Sequence, residues 1–292
     1  MSFPLVTLRI SAYNHEKYIK QAVLSLINQT YKNTEIIVID DGSQDKTPEI
    51  LQLLADEYKF TFIQQENKGL IKTLNRIIGM ANGKYIAGCA SDDFMPLDKI
   101  EKQVNFLESN DTFAVCGGNS VNVDNNGKPF IVNMPEDKTY RVIEFKDVFL
   151  HDKSIPAGTA MIRKSVIDEV GGYSTEFPIE DQYLWLKITS KGYKIARLNT
   201  VLQYYRQHDN NISNNISFMI ENTKNCINSF GTHELYPIAI NNFYARIFNK
   251  YILIDKKQSI TALRKINWLL LDFISYKQIF LGFKKLINVR KF

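Results

Sequence analysis

The chain has 292 residues, 45% hydrophobic, 23% charged and 12% aromatic, with a formal net charge of +5. That apolar content excludes a disordered tail protein, and the length can bury one large core or two modest ones. No apolar run approaches the roughly 18 residues of a membrane span, Met1-Ser2-Phe3-Pro4 shows no secretory signal, and three widely spaced cysteines (Cys89, Cys116, Cys226) suggest a reducing cytosol. Residues 5–11 predict a buried strand that stops at Ala12-Tyr13-Asn14-His15. From Glu16 to Gln29, Ile19, Val23, Leu26 and Ile27 recur at helical spacing. Glu35–Ile39 predicts a second buried strand, ending on Asp40-Asp41-Gly42-Ser43. Thr47 can cap a helix with Pro48 at its first position. Phe60–Ile63, Leu70–Met80 and Tyr85–Ala90 predict strand, helix and strand, the last running into Ser91-Asp92-Asp93. This alternation implies βαβ units and a mostly parallel sheet, whose ligands bind at the carboxyl ends of strands. Tyr13-Asn14, Asp40-Asp41 and Asp92-Asp93 each lie at such an end.

The second half is less regular. Ala114–Gly117, Ser120–Val123 and Thr159–Arg163 predict strands, Ser165–Val170 a short helix ended by Gly171-Gly172, and Asp181–Ser190 another helix. Lys194–Leu198 and Val201–Arg206 predict two more strands, and 125–156, with Pro129, Pro135 and Pro156, a long excursion over a cleft. Charge divides the chain: residues 215–292 hold 12 Lys and Arg against 4 Asp and Glu, a net of +8, leaving the rest at −3. The turn-rich run His208–Asn215 predicts a linker, hence a domain at 1–214 and a basic helical extension at 215–292.

Two adjacent carboxylates after a buried strand are costly unless a cation or hydrogen-bond donors satisfy them. Asp92-Asp93 therefore marks a candidate Mg²⁺ or Mn²⁺ site, since such ions combine one or two carboxylates with phosphate oxygens. A cap for the helix starting near Leu97 is the plainer alternative. Asp40-Asp41-Gly42-Ser43 reads equally as a turn and cap. Asp181 either caps its helix or stands ready to take a proton from an attacking hydroxyl. His208 could complete a metal or phosphate site or be structural. Neither a dinucleotide fingerprint, a P-loop nor a serine-hydrolase elbow is present.

In order and spacing these elements resemble the family 2 glycosyltransferases. Leu8–Asn14 looks like that family's opening strand and aromatic-Asn turn, and Ser25–Tyr31 like its S-x-x-x-Q-T-aromatic stretch. Glu35–Ser43, Asn67-Lys68-Gly69 and Ala81–Ile86 match further segments, the first most specifically. Ser91-Asp92-Asp93 sits where the family carries a D-x-D-like metal motif, with Ser91 in place of the first Asp. Gly171-Gly172-Tyr173 followed by Glu180-Asp181 matches its G-G-aromatic and E-D segment, so the resemblance covers about residues 3–210. It implies an α/β GT-A (Rossmann-like) fold, a mostly parallel sheet flanked by helices, to which the C-terminal helical extension is added. Ala12 and Tyr13 would line the nucleobase pocket, Asp41 would accept from the uracil N–H, and Asp92 would contact the ribose. Asp93 would hold a divalent metal, Mn²⁺ or Mg²⁺, with His208 beside it, and Asp181 would be the general base. Thr73-Leu74-Asn75-Arg76 stands where relatives often read A-R-N, so no uridine contact is carried to Lys72 or Arg76.

Residues 216–292 predict aromatic-rich helices. Ile260, Leu263, Ile266, Leu270 and Phe273 or Ile274 recur at three and four, and apolar runs alternate with Lys277, Lys284, Lys285, Arg290 and Lys291. The pattern fits peripheral contact of 260–292 with an anionic bilayer, or a helical pair that packs on the larger domain or makes a homo-oligomer. No nucleic-acid module is present. The resemblance implies an inverting hexosyl- or N-acetylhexosaminyltransferase using a nucleotide sugar, UDP-linked by expectation, and a saccharide or lipid-linked acceptor. Capsule, O-antigen or other surface polysaccharide synthesis, in the cytoplasm or at the cytoplasmic face of the inner membrane, is the expected setting. The rival is a catalytically silent sugar-nucleotide or glycan binding subunit, against which the joint presence of Asp41, Asp93 and Asp181 counts.

Overall fold

A computed structural model describes residues 3–131, 137–208 and 214–289. The chain divides into two compact units, 1–145 with 154–214 and 146–153 with 215–292.

The first unit is built on strands β1 (Val6–Ala12), β2 (Thr34–Asp40), β3 (Thr61–Gln64), β4 (Tyr85–Gly88), β5 (Phe113–Val123), β6 (Tyr140–Ile143), β7 (Met161–Arg163) and β8 (Lys194–Arg206). They form one sheet in the order β3-β2-β1-β4-β7-β5-β8-β6. Pairings β1–β2, β1–β4, β2–β3 and β5–β8 are parallel, whereas β7 runs against β4 and β5, and β6 against β8. The unit's helices are α1 (Ile19–Ile27), α2 (Thr47–Tyr58), α3 (Leu70–Met80), α4 (Lys99–Glu108), α6 (Lys164–Glu169) and α7 (Glu180–Ser190), while α5 (Phe145–His151) falls almost wholly in the second unit. The two-residue strand period decides which face each side chain serves. On β2, Val38 joins the core shared with Leu8, Ile10, Ile19, Val23 and Val104, while Ile37 and Ile39 pack with Ile77 of α3. Chain order reverses between β1 and β4, and the carboxyl ends of strands at such a point are where the ligand crevice of open α/β sheets usually lies.

Two pairs of expected strands prove to be single long ones. β5 and β8 run through the predicted breaks, with register shifts at Gly117/Asn119 and Asn119/Ser120. A Cβ on Gly118 would lie 2.6 Å from the Thr200 carbonyl oxygen, so the glycine that reads as a break permits a bulge within the ladder. The expected excursion at 125–156 contains β6 and α5. Residues 146–153 group with the second unit. There Arg246 donates to the Leu150 carbonyl at 2.8 Å, and the Phe149 ring lies 5.6 Å from Phe230.

The second unit adds α8 (Ile216–Asn228), α9 (Tyr236–Tyr251), α10 (Lys256–Leu263), a 3₁₀ turn at Trp268–Leu270 and α11 (Phe273–Val289). Ala245, Phe248, Ile252, Ile266 and Ile279 form its apolar centre. The periodicity across 260–274 is not one helix. α10 ends at Leu263, and Asn267 caps the 3₁₀ turn by accepting from the Leu269 N–H at 3.1 Å. No helix among the described residues is long and apolar enough to cross a membrane. Most of the expected linker (209–213), Pro135, Arg290 and Lys291 lie outside the described residues.

Candidate active site

The loops after β1 and β2 are stitched to each other. The Asp41 N–H donates to the Ala12 carbonyl at 2.8 Å, and the Asn14 N–H to Ser43 Oγ at 2.8 Å. Asn14 Oδ1 accepts from the Gln44 N–H, and the His15 N–H donates to Thr47 Oγ1 at 2.9 Å. Asn14 takes a left-handed φ of 53°, which Asn tolerates better than most residues. Asp40 points inward and accepts from the Ser43 N–H and hydroxyl. Ala12 is buried beneath this platform and the Tyr13 ring is exposed on it.

Asp41 sits in a cradle of donors. Its Oδ1 accepts from Gln65 Nε2 (2.7 Å) and the Lys68 N–H (2.9 Å), and its Oδ2 from the Gly69 N–H (2.8 Å). Burial alone would raise its pKa, but bonds from Gln65, Lys68, Thr73 and Gly69 outweigh that and hold the carboxyl below its ordinary value. Glycine is required at two points. Gly69 turns at φ 85°, and at Gly42 (φ 79°) a Cβ would lie 2.8 Å from the Asn67 nitrogen. Arg76 steadies the cradle from behind by donating to Gln65 Oε1.

The loop after β4 meets the end of β8 through an antiparallel bridge between Phe94 and Tyr204. The bridge brings Asp92 Oδ2 to 2.9 Å from His208 Nε2, with His15 Nε2 3.9 Å away on the other side. These three ligand-type atoms all lie within 4.8 Å of one another. His15 Nδ1 is 2.7 Å from Ser91 Oγ, which fixes the ring, and the Tyr18 ring stacks on His208 at 5.7 Å. Burial lowers the His15 pKa more than Asp92 raises it, which favours the neutral imidazole, the form that binds metal. Arg206 is fully buried beside them. Its guanidinium donates to the carbonyls of Asp92, Asp124 and Asn125 and to Gln21, and lies 4.6 Å from the Tyr18 ring centroid.

Asp93 does not join this group. It is only 2% exposed, its Oδ2 accepting from Gln203 Nε2 at 2.7 Å and its Oδ1 from the Arg206 N–H at 2.8 Å. Burial, reinforced by Asp92, pushes its pKa up to about 7. Asp92 thus faces His208, and Asp93 faces the interior. Gln203 lies against Gly158, where a Cβ would collide with its amide. Fully buried Lys99 underpins the loop by donating to the carbonyls of Gly88 (2.9 Å) and Gly158 (2.6 Å), and burial lowers its pKa to about 8.

Asp181 is the second residue of α7, half-buried, and accepts from the Gln182 N–H at 2.7 Å. It stands outside the His15–Asp92–His208 group. The Gly171-Gly172 turn before it uses φ of 75° and 68°, conformations open to glycine. Asn75 of α3 clamps the next residue, accepting from the Tyr173 N–H at 2.9 Å and donating to its carbonyl at 2.8 Å, while Arg9 donates to the Tyr173 hydroxyl at 3.2 Å. His15, Gln65, Asn75 and Gln203 are the residues that sequence reasoning does not assign. Only His15 carried a visible signal, its place directly after the Tyr13-Asn14 turn.

Chemically, this edge offers a carboxylate already ringed by donors, a two-imidazole, one-carboxylate set able to hold a divalent cation, and a carboxylate at a helix start. The family model for "Glycosyl transferase family 2" matches residues 7–171. The chain is 31% identical over 248 residues to an Escherichia coli protein named UDP-Glc:alpha-D-GlcNAc-diphosphoundecaprenol beta-1,3-glucosyltransferase WfaP, covering 82% of this chain and 92% of that one. It is also 31% identical over 215 residues to the putative teichuronic acid biosynthesis glycosyltransferase TuaG of Bacillus subtilis, covering 73% and 82%. Among solved structures, S. aureus TarS 1-349 in complex with UDP-GlcNAc aligns with a TM-score of 0.65 at 17% identity, over 95% of this chain and 79% of that one. The mannosyltransferase PcManGT of Pyrobaculum calidifontis, in complex with GDP-Man and Mn²⁺, aligns at 0.62 and 14% identity, over 96% and 84%. The structural likenesses show a shared GT-A fold, and the sequence matches show that the chain belongs to glycosyl transferase family 2 and is a glycosyltransferase.

Proposed function

We propose that this chain is an inverting enzyme that moves a hexosyl or N-acetylhexosaminyl group from a UDP-sugar to a hydroxyl of a lipid-linked saccharide, in surface-polysaccharide assembly. The observation that carries the reading is the stitched pair of loops that holds Asp41 in its cradle and presents His15 to Asp92 and His208. A nucleoside acceptor and a cation-binding set on one sheet edge are what a nucleotide-diphosphate donor needs. The names of WfaP and of the TarS complex support uridine as the nucleoside. WfaP's name supports a lipid diphosphate on the acceptor.

The residues divide the work as follows. Ala12 and Tyr13 line the nucleobase, and Asp41, oriented by Gln65, Lys68 and Gly69, accepts from the uracil N–H. His15, Asp92 and His208 would hold the divalent metal. Two imidazoles beside one carboxylate favour Mn²⁺ over Mg²⁺, which prefers oxygen ligands. Bound there, the ion offsets charge on the departing diphosphate. Asp93 keeps the Arg206 backbone, and with it the strand end before His208, in register. Asp181 accepts the proton of the acceptor hydroxyl, which attacks opposite the leaving group and inverts the anomeric centre.

Charge and surface in the second unit support work at the cytoplasmic face of a membrane. α11 buries Ser275, Ile279 and Gly282, yet its opposite face carries Phe273 (83% exposed), Tyr276 and Phe280 beside Lys277 and Lys284. Such a face suits an anionic bilayer surface. Full-length protein should co-sediment with phosphatidylglycerol vesicles and lose most of that binding as Phe273→Glu/Phe280→Glu. Equal sedimentation, or a dimer in light scattering that the same variant breaks, removes the bilayer from the reading.

Purified enzyme, given labelled UDP-glucose or UDP-GlcNAc and a lipid-linked acceptor, should transfer with Mn²⁺ and stop in EDTA. Asp181→Asn should slow transfer about 10²- to 10⁴-fold. Transfer indifferent to EDTA defeats the metal role, and full turnover by Asp181→Asn defeats the base. UDP-sugar binding without any transfer would favour the silent binding subunit.

A further inference from the structure

The second unit contains a cleft that this mechanism does not use. α8, α9 and α10 leave a space of about 380 Å³ between them, within the roughly 300–1,000 Å³ common for small-molecule sites. Its apolar lining includes Phe243, Ile247 and Ala262, all buried in the unit. Beside neutral Gln258 and Thr261, its charged lining is mostly cationic: Lys224 from α8, Lys257 from the first turn of α10, and Lys265 just beyond that helix. The one acid in the lining, Asp255, already caps α10 by accepting from the Gln258 N–H at 3.0 Å. None of the three lysines is in an ion pair among the described residues, and Lys265 Nζ lies 5.4 Å from the Tyr244 ring centroid.

Three ammonium groups around one apolar space repel each other and stay hydrated unless an anion joins them. An apolar cleft, for its part, gains from hydrocarbon. A molecule that satisfies both must carry a compact, multiply charged anion on a single hydrocarbon chain. We propose that the cleft binds the prenyl chain and diphosphate of a lipid-linked acceptor, with isoprenoid carbons against Phe243, Ile247 and Ala262 and phosphate oxygens on Lys224, Lys257 and Lys265. The inference rests on the reading that the acceptor is lipid-linked. Charge favours a diphosphate over an ordinary acidic phospholipid, because lysines bind phosphate as point charges and three of them exceed what a single phosphodiester needs.

The test uses the full-length chain and isothermal titration calorimetry with four probes: farnesyl diphosphate, farnesol, inorganic pyrophosphate and monomeric dihexanoyl phosphatidylglycerol. Farnesyl diphosphate should bind at least about tenfold more tightly than each of the others, which is about 1.4 kcal/mol. Added salt should weaken it. Lys224→Glu/Lys257→Glu/Lys265→Glu should abolish the preference. Thr261→Trp, at an exposed position of the lining, should obstruct the cleft and weaken binding by a similar factor. Circular dichroism of both variants should match the parent. Equal binding of farnesol, of pyrophosphate or of phosphatidylglycerol overturns the proposal, as does unchanged binding by the Thr261→Trp variant. Transfer from a UDP-sugar to a water-soluble saccharide acceptor, measured alongside, separates the two readings. Its absence tells against the enzymatic reading, whereas transfer without prenyl diphosphate binding overturns only the cleft.

Discussion

Asp41 and Asp92 both follow strands of the parallel half of the sheet, yet their surroundings are opposite in kind. Asp41 is enclosed by donors of the protein itself, two of them backbone N–H groups that a short glycine-containing turn aims at it. Asp92 instead faces two imidazoles, groups that share its affinity for a cation. The first carboxylate is finished by folding and fixed as an anion before any ligand arrives. The second belongs to a group whose members are best reconciled by a positive charge between them. Neighbouring aspartates on one sheet edge can therefore be told apart by what the chain spends on them.

Substitutions can break this contrast. Asp92→Asn should have the largest effect, a loss of about 10²- to 10³-fold in transfer rate together with weaker Mn²⁺ binding, read by titration calorimetry. If it transferred sugar as well as the parent, the cation site would lie elsewhere. Asp41→Asn should act on stability as well as on the donor. Its amide nitrogen cannot accept, so at least one charge-assisted bond is lost, at about 1.5–3 kcal/mol, with a raised KM for the UDP-sugar. The pH dependence has a definite sign. The folded pKa of Asp41 lies below its ordinary value, so its stabilisation is present above the unfolded pKa near 3.8 and is lost as pH falls through the lower folded one. Thermal melts at pH 3 to 5 should show a shallower acid loss in Asp41→Asn than in the parent. Asp93→Asn should have the smallest effect, less than about tenfold in rate. The Gln203 Oε1 that is buried without a partner can turn to accept from the new amide. A collapse of activity in this variant with Asp92→Asn unharmed would return the metal to Asp93.

The alternation from β1 to β4 is legible in sequence because each strand is a short run of β-branched or aliphatic residues between turn formers. The later strands are less so. Gly117-Gly118 and Asn199-Thr200 look like chain breaks, and only the pairing of β5 with β8, some 80 residues apart, shows that bulges carry the ladder through them. Cap chemistry at Asn267 likewise cuts a helical period that looks continuous over 260–274. Within the site, Asp41 and its Asn67-Lys68-Gly69 partner stand out as motifs. The opposite directions of Asp92 and Asp93 do not, since they follow from the bridge of Phe94 to Tyr204 and from Gln203. Adjacent residues give no hint of a choice made more than 100 positions away.

α3 touches both ends of this arrangement. Gly69, just before its first turn, donates to Asp41, and Asn75, six residues on, grips the backbone of Tyr173 ahead of Asp181. At 1.5 Å per residue these two anchors are about 9 Å apart along the axis. The helix thus acts as a gauge block between donor recognition and the loop that leads to the base. Loops around the crevice can change in length and composition while that spacing holds. One residue added to α3 between the anchors would turn Asn75 by about 100° and release Tyr173, so the first two turns of this helix are where the chain can least absorb an insertion.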